Sequence, residues 1–135
     1  MKEKILQAFK ELGFEMEELD EIGFTFHYEG NRYLYMYQED DEDFLVIGSV
    51  GLHDVGEEAM DSLYELIDQI NRAMKYVKAC RHNNDLWVSY ERELFGGEDL
   101  KQVLSSMIIH LDAAHGYIAH VFKDDEDNND GEDQQ

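Results

Sequence analysis

The sequence predicts an α+β domain of order α-β-β-β-α-β-β-α, with an antiparallel sheet packed against helices. Three observations carry that prediction. Short strand-like runs follow one another through tight turns, as in a meander. Helical spacing of apolar residues is confined to three segments. Strands and helices never alternate as in βαβ units, which argues against a doubly wound parallel sheet. The 135 residues amount to one domain, and 43% hydrophobic content is enough to build a core.

The first helix is expected near residues 2–12, where Ile5, Ala8, Phe9 and Leu12 form one stripe and Gly13 stops it. Phe24 to Tyr28 then alternates apolar and polar residues, and Glu29-Gly30-Asn31 turns the chain into Arg32 to Tyr37. Five successive acids, Glu39 to Asp43, form a loop before Phe44 to Leu52, a run containing Val46, Ile47 and Val50. Asp54 and Glu57 resemble a capping pair. Beyond them Met60, Leu63, Ile67, Ile70 and Met74 recur at spacings of 3, 4, 3 and 4, an apolar seam on one face of a second helix. Tyr76 to Arg81 and Leu86 to Phe95 make a hairpin about His82-Asn83-Asn84-Asp85. Gly96-Gly97 breaks that strand. The last helix runs from about Glu98 to Phe122, with Leu100, Val103, Leu104, Met107, Leu111, Ala114 and Ile118 inward. Residues 1–122 thus read as a single domain. Residues 123–135, with seven acids, one lysine and no apolar side chain, read as an acidic disordered tail.

With 32 acidic and 11 basic residues the chain carries a formal charge of -21, of which -15 belongs to residues 1–122. Such a surface repels phosphates, so neither nucleic acid nor an anionic membrane is expected as a partner. One cysteine, Cys80, excludes an internal disulfide framework and a cysteine-rich zinc site. The absence of an apolar run near Met1 and of any membrane-length stretch makes a cytoplasmic setting the expectation.

Little in the sequence carries reaction chemistry, and no catalytic residue is assigned. His110, His115 and His120 are five apart, which rotates each about 140° from the last on a helix and denies them a common face. His27, His53 and His82 lie on a strand, a loop and a turn without a partner at ligand spacing, so no metal or other cofactor is expected. Asp125-x-Asp127-x-Asn129 begins like a calcium loop but lacks its glycine and its closing glutamate. The serines lack a nucleophile elbow. Gly48, Gly51 and Gly56 match no dinucleotide fingerprint and read as turn residues. Cys80 is expected to be a buried structural thiol.

Two features suit binding. Tyr33, Tyr35 and Tyr37 share one side of a strand, with Leu34 and Met36 on the other. If the second row is core, the tyrosines form a candidate protein-binding surface; otherwise they cover a half-buried sheet face. The basic run Arg72, Lys75, Lys78 and Arg81 places its first two members at a helix C-terminus, where cations suit the dipole. Lys78 and Arg81 are then expected to pair with acids across the sheet or across a subunit boundary.

The stretch from Leu63 through Ile70-Asn71-Arg72, then Tyr76-Val77-Lys78-Ala79, Asn84-Asp85-Leu86-Trp87-Val88 and the Leu100 to Leu111 helix resembles the YbjN family, whose fold is similar to that of the class I type III secretion chaperones. The resemblance extends over roughly residues 1–122 and implies an antiparallel sheet against helices, commonly in a homodimer. It implies either a small acidic chaperone that holds a client segment or a bacterial regulator, and it transfers no functional residue.

The expectation is therefore a non-enzymatic protein-binding module, chaperone-like or regulatory, acting on a protein client or regulatory partner. It is expected to be a homodimer, because the helix faces offer more apolar surface than one sheet face needs. Two alternatives stand beside it: an acidic mimic that occupies a DNA-binding protein, and an uncharacterised enzyme.

Overall fold

In the computed structural model, which describes residues 1–49 and 60–133, the chain runs α1 (Lys2–Glu11), β1 (Glu17–Leu19), β2 (Gly23–Tyr28), β3 (Asn31–Met36), β4 (Phe44–Ser49), α2 (Met60–Ala73), β5 (Val77–His82), β6 (Asp85–Glu93) and α3 (Leu100–Asp133). The six strands form one sheet of order β1-β2-β3-β4-β6-β5, antiparallel at every step. The α+β expectation holds. Its order lacked one element: Glu17-Glu18-Leu19 has no apolar alternation and is held as a strand by pairing with Gly23–Thr25. The Asp54–Glu57 pair, Gly51, Gly56 and His53 lie outside the described residues.

Local chemistry explains the boundaries. At the end of α1, Gly13 is left-handed at φ 94° while Phe14 N–H reaches Phe9 O at 3.1 Å and Gly13 N–H reaches Lys10 O at 3.0 Å. This Schellman closure brings Phe14 edge-on to Phe9, rings 6.1 Å apart, where both join the core. Glu29 and Gly30, both at positive φ, form the two-residue turn that pairs Tyr28 with Asn31. Asn83, at φ 56°, opens the matching turn between β5 and β6.

All three helices pack on the same face of the sheet. Ile5 and Phe9 from α1, Leu63 and Ile70 from α2, and Leu104, Met107, Ile108 and Leu111 from α3 meet Phe26, Tyr33, Tyr35, Leu45, Ile47, Leu86 and Val88 in one cluster. The α2 seam is buried at Leu63, Leu66 and Ile70, with Met60, Ile67 and Met74 half-buried. The backbone of α3 stays helical to Asp133, beyond its expected end at Phe122, and among the residues up to Val121 the last buried one is Ile118. Among the described residues no helix is long and apolar enough to cross a membrane.

Candidate functional site

Because strands alternate their side chains, a sheet with all its helices on one side leaves a second face. That face displays Thr25 and His27 from β2, and Arg32, Leu34 and Met36 from β3. Phe44, Val46 and Gly48 of β4 continue it, followed by Trp87, Ser89 and Glu91 of β6 and Lys78, Cys80 and His82 of β5. Leu34, Met36, Phe44, Val46 and Trp87 are absent from the helix-covered core cluster, and among the described residues no helix lies over them; Leu34 and Val46 are nevertheless buried, and Met36, Phe44 and Trp87 are half-buried. The apolar centre is closely fitted: the terminal methyl of Met36 sits over Gly48, where an added Cβ would lie 3.1 Å from it. At the β5–β6 end His82 packs on Trp87, rings 4.3 Å apart, and Lys78 pairs with Glu91 at 3.7 Å. The surface offers an apolar strip flanked by both signs of charge, an arrangement suited to a polypeptide and poorly suited to phosphate.

The tyrosine row lies on the opposite face. Tyr33 and Tyr35 are buried within the core at 1% and 2% exposure, so they form no contact surface, and only Tyr37 reaches solvent. The alternation along β3 was correct, but the helices cover the tyrosine side. Tyr33 stacks on Phe26 at 5.5 Å and meets His115 edge-on at 5.3 Å. Its hydroxyl has no hydrogen-bond partner of good geometry, although Asn31 is nearby. Burial pushes its ionisation well above the ordinary tyrosine value, and the Asp112 carboxylate adds to that. Burial likewise pushes Tyr35 up to about 12. Tyr37 is raised by partial loss of solvent and by Glu42, whose carboxylate accepts its hydroxyl proton at 3.2 Å.

Cys80 is exposed rather than buried: Val77 and Ala79 supply the core-facing row of β5, and the thiol falls on the uncovered face. The basic run resolves locally. Arg72 pairs with Asp68 one turn earlier at 3.0 Å, Lys78 with Glu91 across the sheet, and Arg81 with the hydroxyl and ring of Tyr64.

Two arrangements went unread in the sequence. Asn71, at the end of α2, donates to Ala79 O at 3.1 Å and accepts from Ala79 N–H at 2.7 Å. Its carboxamide thus occupies the outer edge of β5 as a neighbouring strand would; the signal was present in the Ile70-Asn71-Arg72 helix end. The other joins Ser49 to His115. Ser49 Oγ donates to Arg32 O at 2.8 Å, and His115 Nε2 lies 3.1 Å from the same oxygen. With the hydroxyl proton committed to the carbonyl, His115 is assigned as the Nε2–H donor, so the pair latches α3 to β4 and leaves Ser49 without a base. Burial lowers the His115 pKa below its ordinary value, while Asp112 acts in the opposite sense. Elsewhere His110 packs against Tyr76 and Tyr90. Among the described residues no three His, Cys, Asp or Glu side chains converge on a metal position.

The family model YbjN, described as "putative bacterial sensory transduction regulator", matches residues 2–123. The chain belongs to the YbjN family. Its fold is similar to that of YbjN from E. coli, described as "a putative transcription regulator", with a TM-score of 0.65 at 15% identity over 87% of this chain and 91% of that one. An uncharacterized protein from Methanothermobacter thermautotrophicus is similar at a TM-score of 0.63 and 15% identity, over 91% and 96% of the two chains. No curated protein matches the chain. At such identities the likeness of structures to this YbjN-family chain concerns the fold alone.

Proposed function

We propose that this YbjN-family protein is a non-enzymatic regulatory module that binds a protein partner across the uncovered face of its sheet, in the manner of a small acidic chaperone or adaptor. The observation that carries the reading is the apolar strip in which half-buried Met36, Phe44 and Trp87 reach solvent beside buried Leu34 and Val46, separate from the helix-covered cluster and, among the described residues, without a helix over it. The family's description as a regulator is consistent with it. A cytoplasmic homodimer belongs to the same reading. Its support is the exposure of Tyr64, Tyr76, Phe95 and Ile109 on the helical layer and its connections, and light scattering at micromolar concentration tests it.

The single tryptophan makes the surface directly testable, since Trp87 lies on it. Tagged protein is drawn from native lysate at high salt, beside Met36→Ser and Trp87→Ala variants and a helix-side control, Tyr64→Ser. A near-stoichiometric protein retained by wild type and control but lost by the face variants is expected. Adding that protein back should shift the Trp87 emission. Equal retention by all variants, or no partner at any salt, would overturn the reading.

A further inference from the structure

A second concave feature lies apart from the uncovered face, between the β1–β2 turn and the end of β3. It is a cleft of about 560 Å³ whose walls carry Glu18, Asp20, Glu21 and Glu39 and whose floor includes Phe24 and Tyr37. The floor is rigidly set. Phe24 stacks on Tyr35 with rings 6.1 Å apart, and the Tyr37 hydroxyl is held by Glu42. Gly23, at φ 155°, lets β2 approach β3 so closely that a Cβ would collide with the Tyr35 carbonyl oxygen.

One cation already reports what the cleft accepts. The Lys2 ammonium lies 4.6 Å from the Tyr37 ring centroid and 5.8 Å from that of Phe24, within the range where aromatic faces attract cations. Lys2 is a single positive charge among four carboxylates, and none of the four forms an ion pair among the described residues. The cleft also adjoins β1, the terminal strand of the sheet, so an extended polypeptide can lie along that edge and direct one side chain inward.

We propose that this cleft binds a lysine or arginine side chain of a basic polypeptide segment, which displaces Lys2 from the Phe24 and Tyr37 rings and is surrounded by Glu18, Asp20, Glu21 and Glu39. Rings and carboxylates divide the task. The rings favour an alkylammonium or guanidinium over a small hydrated ion, and the carboxylates supply long-range attraction. None of the cleft's carboxylates or rings belongs to the uncovered face, so either site can fail without the other.

The test is calorimetric titration of the full chain with hexalysine at low salt. Neutralising the walls (E18Q/D20N/E21Q/E39Q) is expected to weaken binding about tenfold. Neutralising four exposed acids that do not line the cleft (E29Q/D61N/E65Q/D68N), an equal change in net charge, should cost under about threefold. Removing the rings with F24L/Y37L should weaken binding about fivefold at unchanged charge, whereas Y37F retains it. K2M should tighten binding by removing the internal competitor. Amide NMR dispersion verifies that each variant is folded; if F24L/Y37L unfolds, the K2M and wall variants still decide. Equal losses from the two neutralised sets, or no gain in K2M, would overturn the site. Spermidine binding as tightly as hexalysine with the same variant pattern would overturn the polypeptide assignment in favour of a free polyamine.

Discussion

Asn71 gives β5 what a flanking strand would give it, two hydrogen bonds to Ala79, and this explains an asparagine in the last turn of a helix that otherwise follows apolar spacing. Asn71→Ala should cost about 1–3 kcal/mol in urea unfolding, because it strips two partly buried backbone groups of partners at once. An unchanged midpoint would show the edge to be satisfied by water. Tyr33 presents the converse case. Its buried hydroxyl lacks a partner of good geometry, so Tyr33→Phe should leave stability unchanged or raise it by up to about 1 kcal/mol. His115 carries a pH dependence whose sign follows from its lowered pKa. Between that value and the ordinary one near 6.5 the unfolded chain binds more protons than the native state, so stability is full above about pH 6.5 and falls as pH drops through it. His115→Gln should lose less melting temperature than wild type between neutral and mildly acidic buffer. The sequence made residue types and alternation legible but not their targets. Tyrosine suits a core or a surface equally well, and only the packing of the helices chose which side of β3 is buried.

Among elements, the joint between β6 and α3 depends on Glu98. Its carboxylate accepts the N–H of Phe95 at 3.0 Å and of Gly96 at 2.8 Å and pairs with Arg92 at 2.8 Å, while Asp99 accepts from Lys101 N–H at 3.2 Å to start the helix. The Phe95 N–H foremost, with Gly96 and Arg92 assisting, holds Glu98 below the usual carboxylate range. Its contribution is therefore present above the ordinary glutamate value and is lost as pH falls through the lowered one. Glu98→Gln should lower the melting temperature at neutral pH, and the deficit should vanish in acid; a deficit constant with pH would assign the effect to geometry alone. The Gly96-Gly97 break was legible because glycine ends a strand by itself, whereas Glu98 acts only through a loop that the fold brings round it. β1 was illegible for a related reason, since two acids and a leucine become a strand only beside β2. At the far end of α3, the acids beyond Phe122 oppose the helix dipole. We expect residues 123–135 to add nothing to the stability of the domain: a chain ending at 122 should melt with wild type, and the helical signal lost with the segment should grow as its carboxylates are protonated.

For the whole molecule the dominant fact is a charge of -21 spread over loops, helices and a C-terminal segment. The ion pairs that oppose it, such as Arg72–Asp68 and Lys101–Glu11, join exposed side chains, and each contributes little. Repulsion among carboxylates should then outweigh attraction within pairs, and the two respond oppositely to salt. Screening weakens both, so the sign of the net response identifies the larger. Raising sodium chloride from low to high concentration should raise the melting temperature by several degrees. The chain ending at 122, at -15, should gain less, because less repulsion remains to be screened. A melting temperature that falls with salt would mean that the few cations, Lys2 in its aromatic cleft among them, hold the fold together more strongly than the acids push it apart. It would also undercut the idea that the free protein carries surplus negative charge with which to draw in a basic partner.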